Sequence, residues 1–227
     1  MYIYEDYGSE ELLSIVKKKV DLTYLSKIEL KKELVKRNLG QEDVHTLQQE
    51  IDDETTKILN LEYLKNVGFD IERFSDNSFE ITRSSKAILI DAASVFIGLL
   101  LLIAGIKGIM NFLSLSSEGG FHIMPIIFNF LLISIGITGF SLLYNGANRL
   151  IEFNGFKFLA NNTVVRLFKR FDFELTETEA PASELSLEKS GDELILKLKD
   201  KEILKGNANS YRQEMTLKEL IKKIKKQ

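Results

Sequence analysis

The chain has no cysteine among its 227 residues, and only two histidines and two prolines. Without cysteine there is no disulfide framework, thiol nucleophile or cysteine metal site. Nor is an oxidising compartment required. His45 lies in a polar helical stretch and His122 near an apolar one. No Gly-x-Ser-x-Gly, His-Glu-x-x-His or phosphate-cradling glycine loop is present. Gly119-Gly120 reads as a turn, and the acidic run Glu50–Glu54 as a solvated helix face rather than a cation site. The expectation is a protein that is not an enzyme, with no catalytic, cofactor-binding or metal-ligating residue.

The start of the chain, Met-Tyr-Ile-Tyr-Glu-Asp-Tyr-Gly, lacks a basic segment followed by an apolar one. It does not read as a signal peptide, and none is expected here. A concentrated basic footprint is missing too. Residues 1–86 carry 13 Lys and Arg against 18 Asp and Glu, while residues 149–227 carry 16 against 13. So mild an asymmetry argues against nucleic acid as a partner.

What the chain does have is two long apolar stretches, Ala87–Phe112 and Phe121–Tyr144, joined by Leu113–Gly120. Bilayer hydrocarbon is about 30 Å thick and a spanning helix needs about 20 apolar residues. Each stretch exceeds that with room for tilt. The expectation is a transmembrane helical hairpin, the first span acting as the internal targeting signal and the lipid bilayer being the first partner.

The loop between the stretches has no Lys or Arg. Arg73, Arg83 and Lys86 precede the first stretch, and Arg149, Lys157, Arg166, Lys169 and Arg170 follow the second. Positive charge stays on the cytoplasmic side, so both termini are expected in the cytoplasm.

Residues 1–86 read as a helical module that ends in a β-hairpin. Ser9 is a candidate N-cap, with Leu12, Leu13, Val16 and Val20 on one face. A second helix starts near Thr23 and stops at Asn38-Leu39-Gly40. A third runs from Gln41 to about Val67, with a seam through Val44, Leu47, Ile51, Ile58, Leu61 and Leu64. That seam serves either an antiparallel pair within the chain or self-association. Phe69–Phe74 and Ser78–Arg83 alternate in polarity around Asp76-Asn77, as a hairpin does. Two strands alone are marginal in water, so this hairpin should dock on another module or strand.

In residues 149–227 the period changes to two. Arg149–Phe153 and Phe156–Leu159 flank Asn154-Gly155, a strong hairpin signal. Alternation continues through Val165/Leu167, Phe171/Phe173/Leu175, Leu185/Leu187, Leu194/Leu196/Leu198 and Glu202–Lys205. About six or seven short strands result. Thr216-Leu-Lys-Glu219 reads as a capping box, opening a helix with Leu217, Leu220, Ile221 and Ile224 on one face and lysines opposite. Lysines there suit either anionic lipid or the solvent side of a plugging helix.

Short strands closed by one amphipathic helix, over Arg149–Phe158, Glu193–Lys199 and Leu217–Ile224, resemble the bacterial PH-like domains attached to membrane hairpins. The resemblance covers residues 149–227. It implies a small antiparallel β-barrel plugged by a helix, a binding role without a named ligand, and the bacterial inner membrane. The fold class expected is thus an α+β membrane protein: a helical module (1–86), a two-helix hairpin (87–148) and a cytoplasmic PH-like barrel with a C-terminal helix (149–227).

Polar residues inside apolar spans are the functional candidates: Asp91, Lys107 and Asn129. Asp91 lies one turn into the first span, within reach of Asn145, Asn148 or Arg149 where the second span returns. Lys107 is roughly 24 Å further on at 1.5 Å per residue, near Glu118. Gly98, Ala104, Gly108, Gly136 and Gly139 offer small surfaces for close helix approach, within the hairpin or between protomers of a homo-oligomer. Two functions fit. One is a scaffold, sensor or regulator acting through protein contacts of its cytoplasmic modules. The other is an oligomeric channel-forming or membrane-perturbing effector gated by them.

Overall fold

The computed structural model describes residues 4–18, 22–74, 78–117, 123–161, 164–171 and 173–225. It is a mixed helix and sheet protein. The chain divides into two compact units, Met1–Val67 with Ser183–Gln227, and Gly68–Ala182.

The first unit begins with three helices: α1 (Ser9–Lys17), α2 (Tyr24–Lys36) and α3 (Gln41–Leu59). Gly8, not Ser9, caps α1, and its N–H donates to Glu11 Oε2 at 2.8 Å. Thr23 caps α2 through its hydroxyl, which accepts from Ser26 N–H. Leu12, Val16, Leu30, Leu34 and Leu47 form a buried cluster with Tyr4. Arg37 ties the start of the chain to it, donating to the carbonyls of Tyr7 and Glu5 and, through Nε, to buried Glu33 at 2.6 Å.

The third helix is shorter than the seam suggests. It ends at Leu59, Leu61 takes a positive φ of 62°, and a 3-10 turn occupies Glu62–Val67. Leu47, Ile51, Ile58, Leu61 and Leu64 are all buried. The seam is covered inside this unit, against α2 and the last helix of the chain.

That last helix is α6 (Tyr211–Lys225). It starts a full turn before Thr216, which is buried in mid-helix. The capping box expected at Thr216–Glu219 is therefore not one; Ser210 precedes the helix, and its carbonyl accepts from Glu214 N–H. Leu217, Leu220 and Ile224 are buried. The carboxylate of Glu54 joins α3 to α6 by pairing with the Arg212 guanidinium, and it also accepts from the Tyr63 hydroxyl at 2.6 Å. Burial foremost, and that hydrogen bond next, push the Tyr63 phenol up to about 12. A three-stranded antiparallel sheet completes the unit. Its strands, β6 (Leu185–Ser190), β7 (Glu193–Leu198) and β8 (Lys201–Asn207), place Leu194, Leu196 and Leu198 on one buried face.

The second unit is a five-stranded antiparallel sheet with a helical hairpin inserted in it. Its strands, in spatial order, are β1 (Phe69–Arg73), β2 (Phe79–Arg83), β3 (Lys157–Asn161), β4 (Val164–Phe171) and β5 (Glu174–Pro181). The hairpin, α4 (Ser85–Ser117) and α5 (Ile123–Glu152), lies in sequence between β2 and β3. Ile81 pairs with Phe158 across that insertion, and Phe158 pairs on its other side with Leu167 of β4. The β1–β2 hairpin thus gains the docking strand it needed. Both helices are long and apolar enough to cross a bilayer.

Two expectations for residues 149–227 are corrected. Arg149–Glu152 is the last turn of α5 rather than a strand, and Asn154-Gly155 is the exit from a helix rather than a hairpin turn. Gly155 supplies the positive φ of 79° that this exit needs. Nor do the described residues form a closed barrel. The strands fall into two open sheets, and only β3, β4 and β5 of this segment join β1 and β2. The turn residues Asp76-Asn77, the loop Glu118–His122 and the chain end Lys226-Gln227 lie outside the described residues.

Candidate functional site

Where α4 leaves β2 and α5 returns towards β3, charged and aromatic side chains converge. Arg83 is the last residue of β2, and Ser84 alone separates it from α4. Asp91 is two turns into α4, and Arg149 lies in the last turn of α5. The Asp91 carboxylate takes one guanidinium on each oxygen: Arg83 Nη2 on Oδ2 at 2.7 Å and Arg149 Nε on Oδ1 at 2.8 Å. The side chain of Asp91 is 3% exposed, that of Arg83 11% and that of Arg149 45%. One end of this three-residue bridge is therefore buried and the other is in the open.

Aromatic rings hold the buried end. Phe69, Phe153 and Phe156 pack edge-on or tilted, with centroids 5.1–5.5 Å apart. The Arg83 guanidinium lies over Phe153 at 4.7 Å and Phe69 at 5.2 Å. Such cation–π contacts strengthen when desolvated. Gly68 makes the room: a Cβ there would lie 2.6 Å from Arg83 Nη1. Beside this sits Lys169 of β4, with its side chain 2% exposed. Its Nζ is 2.7 Å from Glu152 Oε1 and 5.0 Å from the Phe153 ring centre.

The open end is a cleft of about 260 Å³. Arg83, Asp91 and Arg149 line it together with Ile88, Leu150, Phe153, Asn154 and Gly155. Arg170 reaches the same place from β4. Its Nε donates to the Asn154 carbonyl at 3.2 Å and its Nη1 to the Phe173 carbonyl at 2.7 Å.

Above the cleft the two helices meet on glycine. A Cβ at Gly105 would fall 2.4 Å from the Cα of Gly136, and one at Gly98 would fall 2.5 Å from the Leu143 nitrogen. Gly108 faces Asn129 and Leu132, Gly139 faces Leu101 and Leu102, and Gly146 faces the Asp91 carbonyl. Asp91, Gly98 and Gly105 recur every seven residues, the seam spacing of a left-handed helix pair. Gly105 rather than its half-buried neighbour Ala104 makes the closest approach.

Of the polar candidates, Asp91 is engaged as described and Asn129 is buried opposite Gly108. Lys107 is exposed, and the neighbour proposed for it, Glu118, lies outside the described residues. Asn145 and Asn148 are exposed; Asn145 donates to Ser141 Oγ at 3.3 Å, and it is Arg149 that meets Asp91. Arg83 and Lys169 entered the sequence reading only as positive charges near the spans. The parity of β4 does mark Lys169, which shares a face with Val165 and Leu167.

Both Asp91 oxygens accept from guanidiniums, so each is already engaged where a general base would have to meet its substrate. Among the described residues no three His, Cys, Asp or Glu side chains converge as a metal site would require. No family model matches the chain, and no curated protein or solved structure matches it.

Proposed function

We propose that this is a non-catalytic integral membrane protein of the bacterial inner membrane. It acts as a scaffold, sensor or regulator through protein contacts made by its cytoplasmic parts. The observation that carries this is the insertion of the hairpin between two paired strands. With one residue joining β2 to α4 and a four-residue exit joining α5 to β3, a shift of one span against the other pulls directly on the β2–β3 ladder. Asp91 bridges both helix bases to the end of β2 and stiffens the joint. Such a device transmits position between membrane and cytoplasm.

The channel-forming alternative draws less support. The glycines that would line contacts between protomers are used within one hairpin, and Asp91 is neutralised by two arginines.

The cysteine-free chain suits a direct test. Single cysteines at Asp43 and Asp200, both on the cytoplasmic side in this reading, should resist an impermeant maleimide in intact cells and label after permeabilisation. Dye-loaded vesicles containing the protein should stay tight. Labelling from outside would overturn the topology, and leakage would favour the channel.

A further inference from the structure

We propose that the cleft at the base of the hairpin binds the headgroup of an anionic phospholipid. This rests on the reading that α4 and α5 span the bilayer. Two guanidiniums, Arg83 and Arg149, meet one carboxylate, Asp91, and a third, Arg170, is bonded to the carbonyl of Asn154, a residue that lines the cleft. Lys169 adds a cation that Glu152 balances. The net local charge is therefore positive, and Arg149, the half-exposed member, engages Asp91 through Nε and stands on the open side of the cleft. A guanidinium edge of this kind takes a phosphate oxygen pair.

The depth of the site argues for a lipid as the source of that phosphate. Apolar side chains on the outer face of α4 continue down to the level of the arginines, with Ile88 47%, Leu89 70% and Ile90 52% exposed. The guanidiniums thus stand at the lower edge of the apolar belt, where headgroup phosphates lie. Ile88, Leu150 and Phe153 give the cleft apolar walls on which the top of an acyl chain can rest. Basic pockets between spanning helices on the cytoplasmic side are suited to such headgroups.

The β4–β5 connection supplies a second, independent observation. Phe173 is 73% exposed and holds a φ of +69°, and Leu175 beyond it is 50% exposed. A phenylalanine displayed to solvent in the left-handed region is strained on the backbone alone. Arg170 fixes that tip to Asn154, which lines the cleft. A position on Gly155 built out to Cβ would touch Leu175 at 3.5 Å. An aromatic and a leucine beside a basic cleft form an interfacial anchor.

The chain lacks tryptophan, so Phe173→Trp gives a single reporter at the site. The full-length variant is reconstituted in phosphatidylcholine vesicles carrying a small fraction of brominated phosphatidylglycerol or, in parallel, brominated phosphatidylcholine. Brominated phosphatidylglycerol should quench more strongly, with an apparent preference of about 5-fold for each arginine that contacts the headgroup. Adding Arg149→Gln should remove most of that preference, and Arg149→Lys should keep much of it. Millimolar inorganic phosphate should not restore the emission.

Equal quenching by the two lipids would overturn the proposal without need of any second variant. So would an unchanged preference in Arg149→Gln, or recovery of emission with phosphate, which would assign the cleft to a soluble anion. Extraction of the protein by alkaline carbonate would instead overturn the spanning topology. A protein that stays embedded and shows no headgroup preference defeats the lipid site alone.

Discussion

Replacing Asp91 by asparagine keeps the shape of the side chain and removes the charge that two arginines share. The magnitude follows from burial. Arg83 and Asp91 are 11% and 3% exposed, so theirs is a buried pair. Breaking such a pair by removing one partner costs about 3–5 kcal/mol, because the other charge stays buried without compensation. The amide oxygen that the substituted side chain retains can still accept one hydrogen bond, which sets the expectation at the lower end, about 3 kcal/mol. Arg149 is 45% exposed, so Arg149→Gln should cost about 1 kcal/mol or less. The double change Asp91→Leu with Arg83→Met removes both buried charges and should be less harmful than Asp91→Asn alone. Denaturant or thermal unfolding in mild detergent, followed by circular dichroism, reads all three. A loss of about 1 kcal/mol or less for Asp91→Asn would refute the reasoning, because it would place the carboxylate in water. An Arg149→Gln variant weaker than Asp91→Asn would refute it equally.

Three further outcomes follow from other contacts. Gly105→Ala places a methyl against the Gly136 backbone, so it should cost about 1–3 kcal/mol of hairpin stability in the same unfolding assay. The Tyr63 phenol, raised from 10.0 to about 12, stabilises its unit fully below pH 10, and that contribution is lost as the pH rises towards 12. An ultraviolet phenolate titration should show Tyr63 ionising late, and Glu54→Gln should bring it only part of the way down, because burial, the larger cause, remains. Thr216→Val replaces a buried hydroxyl that has no hydrogen-bond partner among the described residues, and should raise the melting temperature by stabilising the fold about 1 kcal/mol.

The two apolar helices and the strand-rich second half were legible because their signals are local. Composition over twenty residues reveals the helices, and alternation of polar and apolar side chains reveals the strands. Arg149–Glu152 was not, since Leu150 and Ile151 between charged residues suit a strand and a helix end alike, and only the continuing helix decides. The barrel failed for a different reason. Whether β3 pairs with β2 or with β8 depends on contacts across the chain, which no short window contains. Asp91 stood out as a lone charge in an apolar run, whereas Arg83 looked like any flanking cation. Its significance depends on Phe69 and Phe153, which reach it from two separate elements.

The pairing of β2 with β3 also constrains how the protein is made. Strand β2 leaves the ribosome before either apolar helix, and β3 leaves after both. Neither can complete the central ladder until α5 has brought the chain back to β2. In the spanning arrangement proposed above, completion of the sheet therefore reports that the hairpin has been inserted and returned. A chain stalled with one helix in place presents β2 with an open edge, the kind of surface that recruits chaperones and proteases. The sheet that joins the two helices at their base is thus also a checkpoint on their biogenesis.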